Sequence, residues 1–446
     1  MKIQHLIAKN RQFPFYYDFK PVGQGLFATG VLYASDSEQV IYNWVYDCGS
    51  SDSHAQLDTE IDSFIRSLKG RSWIDCFIIS HLDHDHISGI AEIMKRVRIE
   101  RLFLPYIPLI DRIEIALAQP FVSPSSLRFA ADPAGYLLEL GGDNLGEVVF
   151  VIGDKGDQEI SLPGDDGPQP EEFTGNEPIK PRFITINTPT DSGSISLASI
   201  GGQEKIIYIT AHVSVTIAGF WEFAFFNESS SKVDSIFIKT VEDRIKKSLK
   251  SDGYFSDPDQ LIIALKRLYE QRFTTGNQRN NISLVTYTGP ILGERIDDSQ
   301  YRCPDQDYSR LSSIKSCGGT CLHAKLDPKP SILYFGDITL GIRRLTKIVN
   351  KFGPNRWKKC AVTQIAHHGS VHSSFPNASN CFQHHYSVYS YGLHNSYKHP
   401  GKDVVYDFQK MSVTVLVNEH QGACWLGAVH ILPPPISQIQ SQHPEL

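Results

Sequence analysis

The sequence predicts an α/β fold carrying a long inserted region, and three observations point that way. The segment Cys76-Phe77-Ile78-Ile79 is short and wholly apolar, as a strand buried on both faces must be, and it runs directly into a loop dense in histidine and aspartate. Strand-like and helix-like patterns alternate on both sides of it, the order expected of a sheet covered by helices. Between about residues 106 and 275 the periodicity weakens, which separates two halves of one domain.

Taken in order, Gly23 to Tyr33 and Val40 to Asp47 mix apolar and polar residues between turn signals, as paired strands do. Leu57, Ile61, Phe64, Ile65 and Leu68 have helical spacing, and Gly70 is the stop signal. From Phe103 to about Phe183 the pattern degrades, and residues 152–182, rich in Gly, Pro and Asp, read as a long loop or lid. Strands resume at Lys205–Ile209 and Trp221–Phe226, and helical patterns near Ser235–Lys250 and Pro258–Phe273 belong to the insertion. Ile282–Tyr287 and Ser331–Phe335 are the next strands, and a tail rich in Pro, Ser and Gln closes the chain. The expected division is a first half over 1–105, an inserted region with some core strands over 106–275, a second half over 276–431 and a flexible tail over 432–446.

The 446 residues suffice for a sizeable core, and 41% hydrophobic with 21% charged residues exclude a wholly disordered or fibrous chain. The longest apolar run, Ile217 to Phe226 broken by Glu222, falls far short of the roughly 20 residues that span a bilayer, so no membrane association is expected. No apolar stretch follows the charges at the N-terminus, and the expected location is cytoplasmic. Eight scattered cysteines suit reduced thiols better than a disulfide framework. A net charge of −6 gives no general attraction for polyanions, so any nucleic-acid contact has to come from a local patch.

Chemistry is concentrated in Ser80-His81-Leu82-Asp83-His84-Asp85-His86-Ile87-Ser88-Gly89, between the buried strand and a helix expected from about Gly89. Imidazoles and carboxylates spaced H-x-D-x-D-H on one tight loop can converge on metal ions while strand and helix fix the backbone. Helix capping by Asp85 would explain one such side chain, not four.

This loop resembles the metal-binding signature of the metallo-β-lactamase fold, usually H-x-H-x-D-H, in a variant whose second histidine is Asp83. With Ser80 before it and Gly89 after it, the variant is similar to the soluble hydrolase domain of the ComEC-type DNA-uptake proteins. Val22-Gly23-Gln24-Gly25 resembles that group's opening turn, with Pro21 where the group usually has Asp, and Asp47-Cys48-Gly49 resembles its D-x-G. Asn280 to Val285, Phe335-Gly336-Asp337, Ala366 to Ser370 and Asn395 to Pro400 complete the series in order. The stretch between Gly89 and Asp337 is much longer than a minimal domain of this kind requires, and nothing here resembles the membrane portion of those proteins. A free-standing relative with an insertion is expected, and DNA uptake does not carry over.

The resemblance implies a four-layer αβ/βα sandwich with two divalent ions at the edge of its sheets. It places His81 and Asp83 on one ion, Asp85 and His86 on the other, and Asp337 between them, with Asp85 also orienting the attacking water. Of His367 and His368, one would ligate and the other face substrate. His368 is the expected ligand and His367 the expected phosphate contact, since side chains alternate along an extended segment, although alternation alone does not fix which is which. Where many relatives supply a further histidine this sequence has Asn280 or Asn281, either an oxygen ligand or simply a turn opening a strand. Together with Asp83 this tilts the site toward Mn²⁺ or Mg²⁺, while the histidines keep Zn²⁺ open. His399 would orient a phosphate or donate a proton to a leaving oxygen, or else be a turn residue before Pro400, and Lys398 would neutralise a phosphate. His84 is expected to point away from the metals.

Two further patterns stand outside the loop. Cys303, Cys317, Cys321 and His323 have the donor types of a structural zinc site, but their spacing lacks a C-x2-C knuckle and unlinked thiols are the plainer reading. Between Gly341 and Cys360 basic residues occur without an acidic one, and Arg343, Lys347 and Lys351 share a helical face that could either track phosphates or simply be solvated. A metal-dependent nuclease or phosphodiesterase, with Asp85, His367 and His399 as its catalytic residues, is therefore favoured. The competing readings are an esterase or thioesterase on a small molecule and an idle binding or regulatory protein. Nucleic acid or another phosphodiester is the expected partner, with the insertion a docking surface for a protein. Free-standing chains of this kind also resemble effectors of bacterial defence gene pairs.

Overall fold

The computed structural model describes residues 11–34, 39–68, 70–117, 122–153, 185–186, 205–211, 214–217, 220–228, 235–251, 254–270, 283–291, 296–297, 320–322 and 329–431. It is a mixed α/β chain with two sheets. The larger runs, neighbour by neighbour, through Ala423–Ile431, Arg11–Phe19, Phe27–Tyr33, Val40–Cys48, Cys76–Ile78, Arg98–Pro105, Leu145–Ile152 and Ile206–Thr210. Its hairpin-connected strands pair antiparallel. From Val40–Cys48 onward neighbours run parallel, because helical crossovers such as His54–Ser67 return the chain to the same end of the sheet. The smaller sheet orders Val215–Ile217, Trp221–Phe226, Val285–Pro290, Ser331–Tyr334, Cys360–Gln364, Tyr386–Ser390 and Val413–Val417, and is parallel from Ser331–Tyr334 onward.

The sheets face one another across an aromatic core in which Phe15, Tyr17, Trp44 and Tyr46 meet Trp221, Phe223 and Tyr334. Tyr46 stacks on Tyr334 with ring centroids 4.4 Å apart, and its hydroxyl donates to Leu284 O at 3.0 Å, so the buried phenol keeps a partner. Helices cover the outer faces. Leu57, Ile61, Met94 and Leu137 pack on Phe77 and Leu102 of the larger sheet, while Leu345, Ile348, Phe352 and Phe408 pack with Leu333 of the smaller one. Each such side chain contributes about 1.5–3 kcal/mol on burial. The His54–Ser67 helix starts where the Ser53 hydroxyl accepts from Gln56 N, and Gly70 follows its end at a φ of 83°.

The region of weak periodicity holds more order than its pattern suggests. Helices Leu109–Leu117, Pro124–Ala131 and Pro133–Gly141 lead into the strand Leu145–Ile152. That strand lies between parallel neighbours and is covered on both faces, so its sequence does not alternate. Every described position of Leu109–Leu117 except Glu114 is buried, which erases an amphipathic stripe. The helices Ser235–Ser248 and Pro258–Glu270 pack on this group through Phe237, Val241, Ile262 and Leu265 against Leu109, Ile113 and Leu127. Residues 154–182 of the expected lid, and the expected tail 432–446, lie outside the described residues. Among the described residues no helix is long and apolar enough to cross a membrane.

Candidate metal centre

The Cys76–Ile78 strand ends at buried Ser80 and His81, and Asp83 opens the short helix His84–Ile87 that carries Asp85 and His86. Two glycines let this loop press against neighbouring backbone. A Cβ on Gly25, whose φ is 150°, would lie 2.6 Å from Asp85 O, and one on Gly49 would lie 2.5 Å from the Asp85 carbonyl carbon. Leu26 N donates to Asp85 O across that approach, at 3.1 Å. The glycines at positions 25 and 49 are thus steric requirements of the loop they flank.

Asp337 arrives from the other sheet, three residues beyond the strand Ser331–Tyr334, and its N–H donates to Ser283 Oγ at 3.2 Å. The side chain of Gln364, at the end of the next strand, holds this turn. Its Oε1 accepts from Phe335 N and Gly336 N, each at 2.8 Å, and its Nε2 donates to Gly336 O at 3.3 Å and Ile365 O at 2.8 Å. His367 and His368 follow directly. The expected divergence of their side chains is not seen: His367 Nε2 and His368 Nε2 approach the same Asp337 Oδ2, at 3.6 and 3.5 Å. The segment is not extended: both residues sit at positive φ, 50° and 53°, in a tight turn whose His367 N donates to Gly336 O.

Asp85, His86, Asp337 and His368 each present a ligand atom, and these atoms all lie within 4.8 Å of one another. His86 Nε2 is 3.2 Å from Asp337 Oδ1, and His368 Nε2 is 3.3 Å from Asp85 Oδ2 and 3.5 Å from Asp337 Oδ2. His81 Nε2 extends the group at 3.7 Å from Asp83 Oδ2 and 3.9 Å from Asp337 Oδ2. Ligands about 2.1 Å from one ion and 90–109° apart are separated by about 3.0–3.4 Å, so the spacings suit a shared cation.

The hydrogen bonds on the far side of each ring decide what these atoms can do. His368 Nδ1 donates to Ser390 O at 2.6 Å, which fixes the proton there because a carbonyl only accepts. His86 Nδ1 meets Asp47 Oδ2 at 2.8 Å. Ser80 Oγ donates to Asp47 Oδ2 at 2.6 Å and is left to accept from His81 Nδ1 at 2.8 Å. With its proton on Nδ1 each ring turns an Nε2 lone pair to the cluster, and all three Nε2 atoms, with Asp337 Oδ1, are buried without a well-aligned hydrogen bond, His86 Nε2 and Asp337 Oδ1 meeting at 3.2 Å. Orphaned buried acceptors are expensive in a native fold, and a bound cation satisfies them. The donor set therefore fits a metal ion.

Electrostatics agree. Burial works to raise Asp85 and Asp337, but His86 and His368 hold Asp85 down at about 2 and Asp337 well below the carboxylate range. Burial works to lower His86 and His368, yet Asp337 and its fellow carboxylates raise both. The carboxylates thus draw positive charge into the cluster, as protons on imidazole or as a metal ion. His81, pressed to about 4 by burial and then by His86, stays neutral.

The remaining expected residues divide. His367 Nε2 lies 3.6 Å from Asp337 Oδ2 and its Nδ1 is 2.7 Å from Ser373 Oγ. His399 stands against both histidines of the pair, with ring centroids 5.4 Å from His367 and 5.9 Å from His368. Lys398 is exposed beside it. The exposed His84 turns its ring to His54. The phosphate track expected on the helix Ile342–Lys358 needs correction. Lys351 is buried at 4% exposure, and Lys347 is paired with Glu228 at 2.8 Å, which leaves Arg343 as the exposed member without an opposing carboxylate among the described ion pairs. Arg356, from the same basic stretch, forms a buried pair with Glu222. Asn280, Asn281, Cys303, Cys317 and His323 lie outside the described residues, and of Cys321 only the backbone strand is described.

Asp47, Gln364 and Ser390 are supporting residues that sequence reasoning did not assign. Asp47 belongs to the Asp47-Cys48-Gly49 motif but had no assigned role, while Gln364 offered one signal, a long amide at the end of the otherwise small-residue strand Cys360–Gln364. No protein-family model and no curated protein matches this chain.

Proposed function

We propose that this chain is a metal-dependent hydrolase of the metallo-β-lactamase fold, ComEC-like in its motifs, that cleaves phosphodiesters with water. The observation that carries the reading is the set of buried Nε2 atoms of His81, His86 and His368, each ring tied at Nδ1 and each lone pair turned toward Asp337. The layering of helices outside two facing sheets supports the same family. His81, Asp83 and Asp337 would hold one ion and Asp85, His86, His368 and Asp337 a second. Divalent ions there would supply the Lewis acidity that ionises a water near neutral pH and polarises a phosphoryl oxygen. Asp85 accepts a hydrogen bond from the attacking water and aims it. His367 and His399, both lowered chiefly by burial, are neutral near pH 7 and act as hydrogen-bond donors to the departing oxygen. Oxygen from Asp83 in place of a third nitrogen favours Mn²⁺ or Mg²⁺ over Zn²⁺.

Asp85→Ala removes a ligand and the orienting carboxylate together. With single- and double-stranded DNA, RNA and nitrophenyl phosphodiesters under Mn²⁺, Mg²⁺ and Zn²⁺, the wild type should hydrolyse at least one, and the variant should lose that activity and bind less metal with its circular dichroism unchanged. Full hydrolysis by the variant would contradict the mechanism. Turnover of carboxylic or thioesters with no phosphodiester cleaved would favour the small-molecule esterase.

A further inference from the structure

Beside the cluster, the loop Gly392–Pro400 is tied down by three side chains: Gln24 Oε1 accepts from Gly392 N at 3.3 Å, Glu419 Oε2 accepts from Leu393 N at 3.0 Å, and Asn395 bonds within the loop. Asn395 Nδ2 donates to Gly392 O at 2.6 Å and His399 O at 2.8 Å, while its Oδ1 accepts from His399 N at 2.8 Å. Tyr397 rides on this loop with 68% of its surface exposed. Its ring stacks on His399, centroids 5.6 Å apart and planes 25° from parallel, and His399 stacks in turn on His368 at 5.9 Å and 23°. An exposed tyrosine alone is ordinary. Here the ring is the outermost member of a near-parallel stack that starts at a candidate metal ligand, on a loop fixed by side-chain hydrogen bonds from Asn395, Gln24 and Glu419, and the next residue in the chain is the exposed Lys398.

We infer that Tyr397 is a stacking platform for an unpaired nucleobase adjoining the phosphodiester held at the cluster, with Lys398 facing a neighbouring phosphate. This rests on the hydrolase reading and narrows its substrate to base-bearing, single-stranded phosphodiesters. A base inside a duplex has no free face to offer, whereas every unpaired base has one, so the platform selects strandedness rather than sequence. His399 covers one face of Tyr397, which leaves the opposite face for the base.

The probes are a single-stranded thymidine oligonucleotide and an abasic oligonucleotide of equal length, which keeps the phosphates and lacks the bases. Base stacking on one aromatic ring corresponds to roughly 5- to 150-fold in affinity. The wild type should prefer the base-bearing strand in KM by a factor in that range, Tyr397→Ala should lose the preference, and Tyr397→Phe should keep it. As a readout independent of turnover, an oligonucleotide carrying 2-aminopurine should be quenched on binding to wild type and to Tyr397→Phe, but not to Tyr397→Ala. If Tyr397→Ala retains both the preference and the quench, or weakens base-bearing and abasic strands alike, the platform is wrong. Quench that depends on Tyr397 in a wild type that cleaves nothing would support the platform and sink the hydrolase reading instead.

Discussion

At the level of single residues, Asp47 has the most consequences for the cluster while touching no candidate ion. It sits at a φ of 55°, accepts from Ser80 N at 2.7 Å and Ser80 Oγ at 2.6 Å, and accepts from His86 Nδ1 at 2.8 Å. One carboxylate thereby fixes the tautomer of His86 directly and that of His81 through Ser80. Asp47→Asn keeps the volume but turns an N–H toward donors, so Mn²⁺ affinity should fall about 10- to 100-fold, as measured by competition with a chelating dye. Unchanged affinity would mean that the Nδ1 partners do not tune the site. The candidate ligands at 81, 83, 85 and 86 were legible from their spacing on one loop at a strand end, whereas Asp337 and His368 came only through the family resemblance. The tautomer-setting partners were not legible, because Asp47 and Ser390 reach their histidines across 39 and 22 residues of chain.

Among elements, the joint between the strands Ser331–Tyr334 and Cys360–Gln364 sets the distance from Asp337 to His368. Gln364 satisfies two buried backbone N–H groups there and ties both turns to one amide. Gln364→Leu orphans those donors at similar volume, so it should lower unfolding free energy by about 2–4 kcal/mol in urea titration and loosen metal binding. A loss below about 0.5 kcal/mol would show that solvent or a shifted backbone replaces the amide. The helix Ile342–Lys358 teaches the converse lesson. Arg343, Lys347 and Lys351 have the spacing of a phosphate track, yet Lys351 is buried and Glu228, more than 100 residues earlier, takes up Lys347, while beyond the kink at Gly353 Glu222 takes up Arg356. Charge spacing along one helix says nothing of the acids that another element brings to it.

For the whole molecule, stability should depend on acid through histidines buried away from the cluster. His384 is packed against Phe382 and Phe408, its Nε2 bonds Ser387 Oγ at 2.7 Å, and burial presses it to about 3. The folded value lies below the unfolded one near 6.5, so the unfolded chain binds more protons between them. Stability is then fully present above pH 6.5 and falls as pH drops toward 3, by up to about 1.4 kcal/mol per unit for this one group. Urea midpoints at pH 7 and pH 5 should differ less in His384→Phe than in wild type, and parallel losses would assign the acid sensitivity elsewhere. The same burial explains what the sequence concealed about the fold. Short strands covered on both faces, such as Leu145–Ile152, show no period, whereas Leu57, Ile61 and Phe64 lie on a half-covered helix and show theirs plainly. The central proposal, that the two halves of the chain meet in a His/Asp cluster whose residues would hold two ions with Asp337 common to both, is tested most directly by calorimetric titration of the metal-stripped protein with Mn²⁺. Two ions per chain should bind in the wild type, one in His81→Ala and none tightly in Asp337→Asn, with all three proteins folded. A wild type that binds no Mn²⁺, Mg²⁺ or Zn²⁺, or an Asp337→Asn variant that binds as the wild type does, would contradict it.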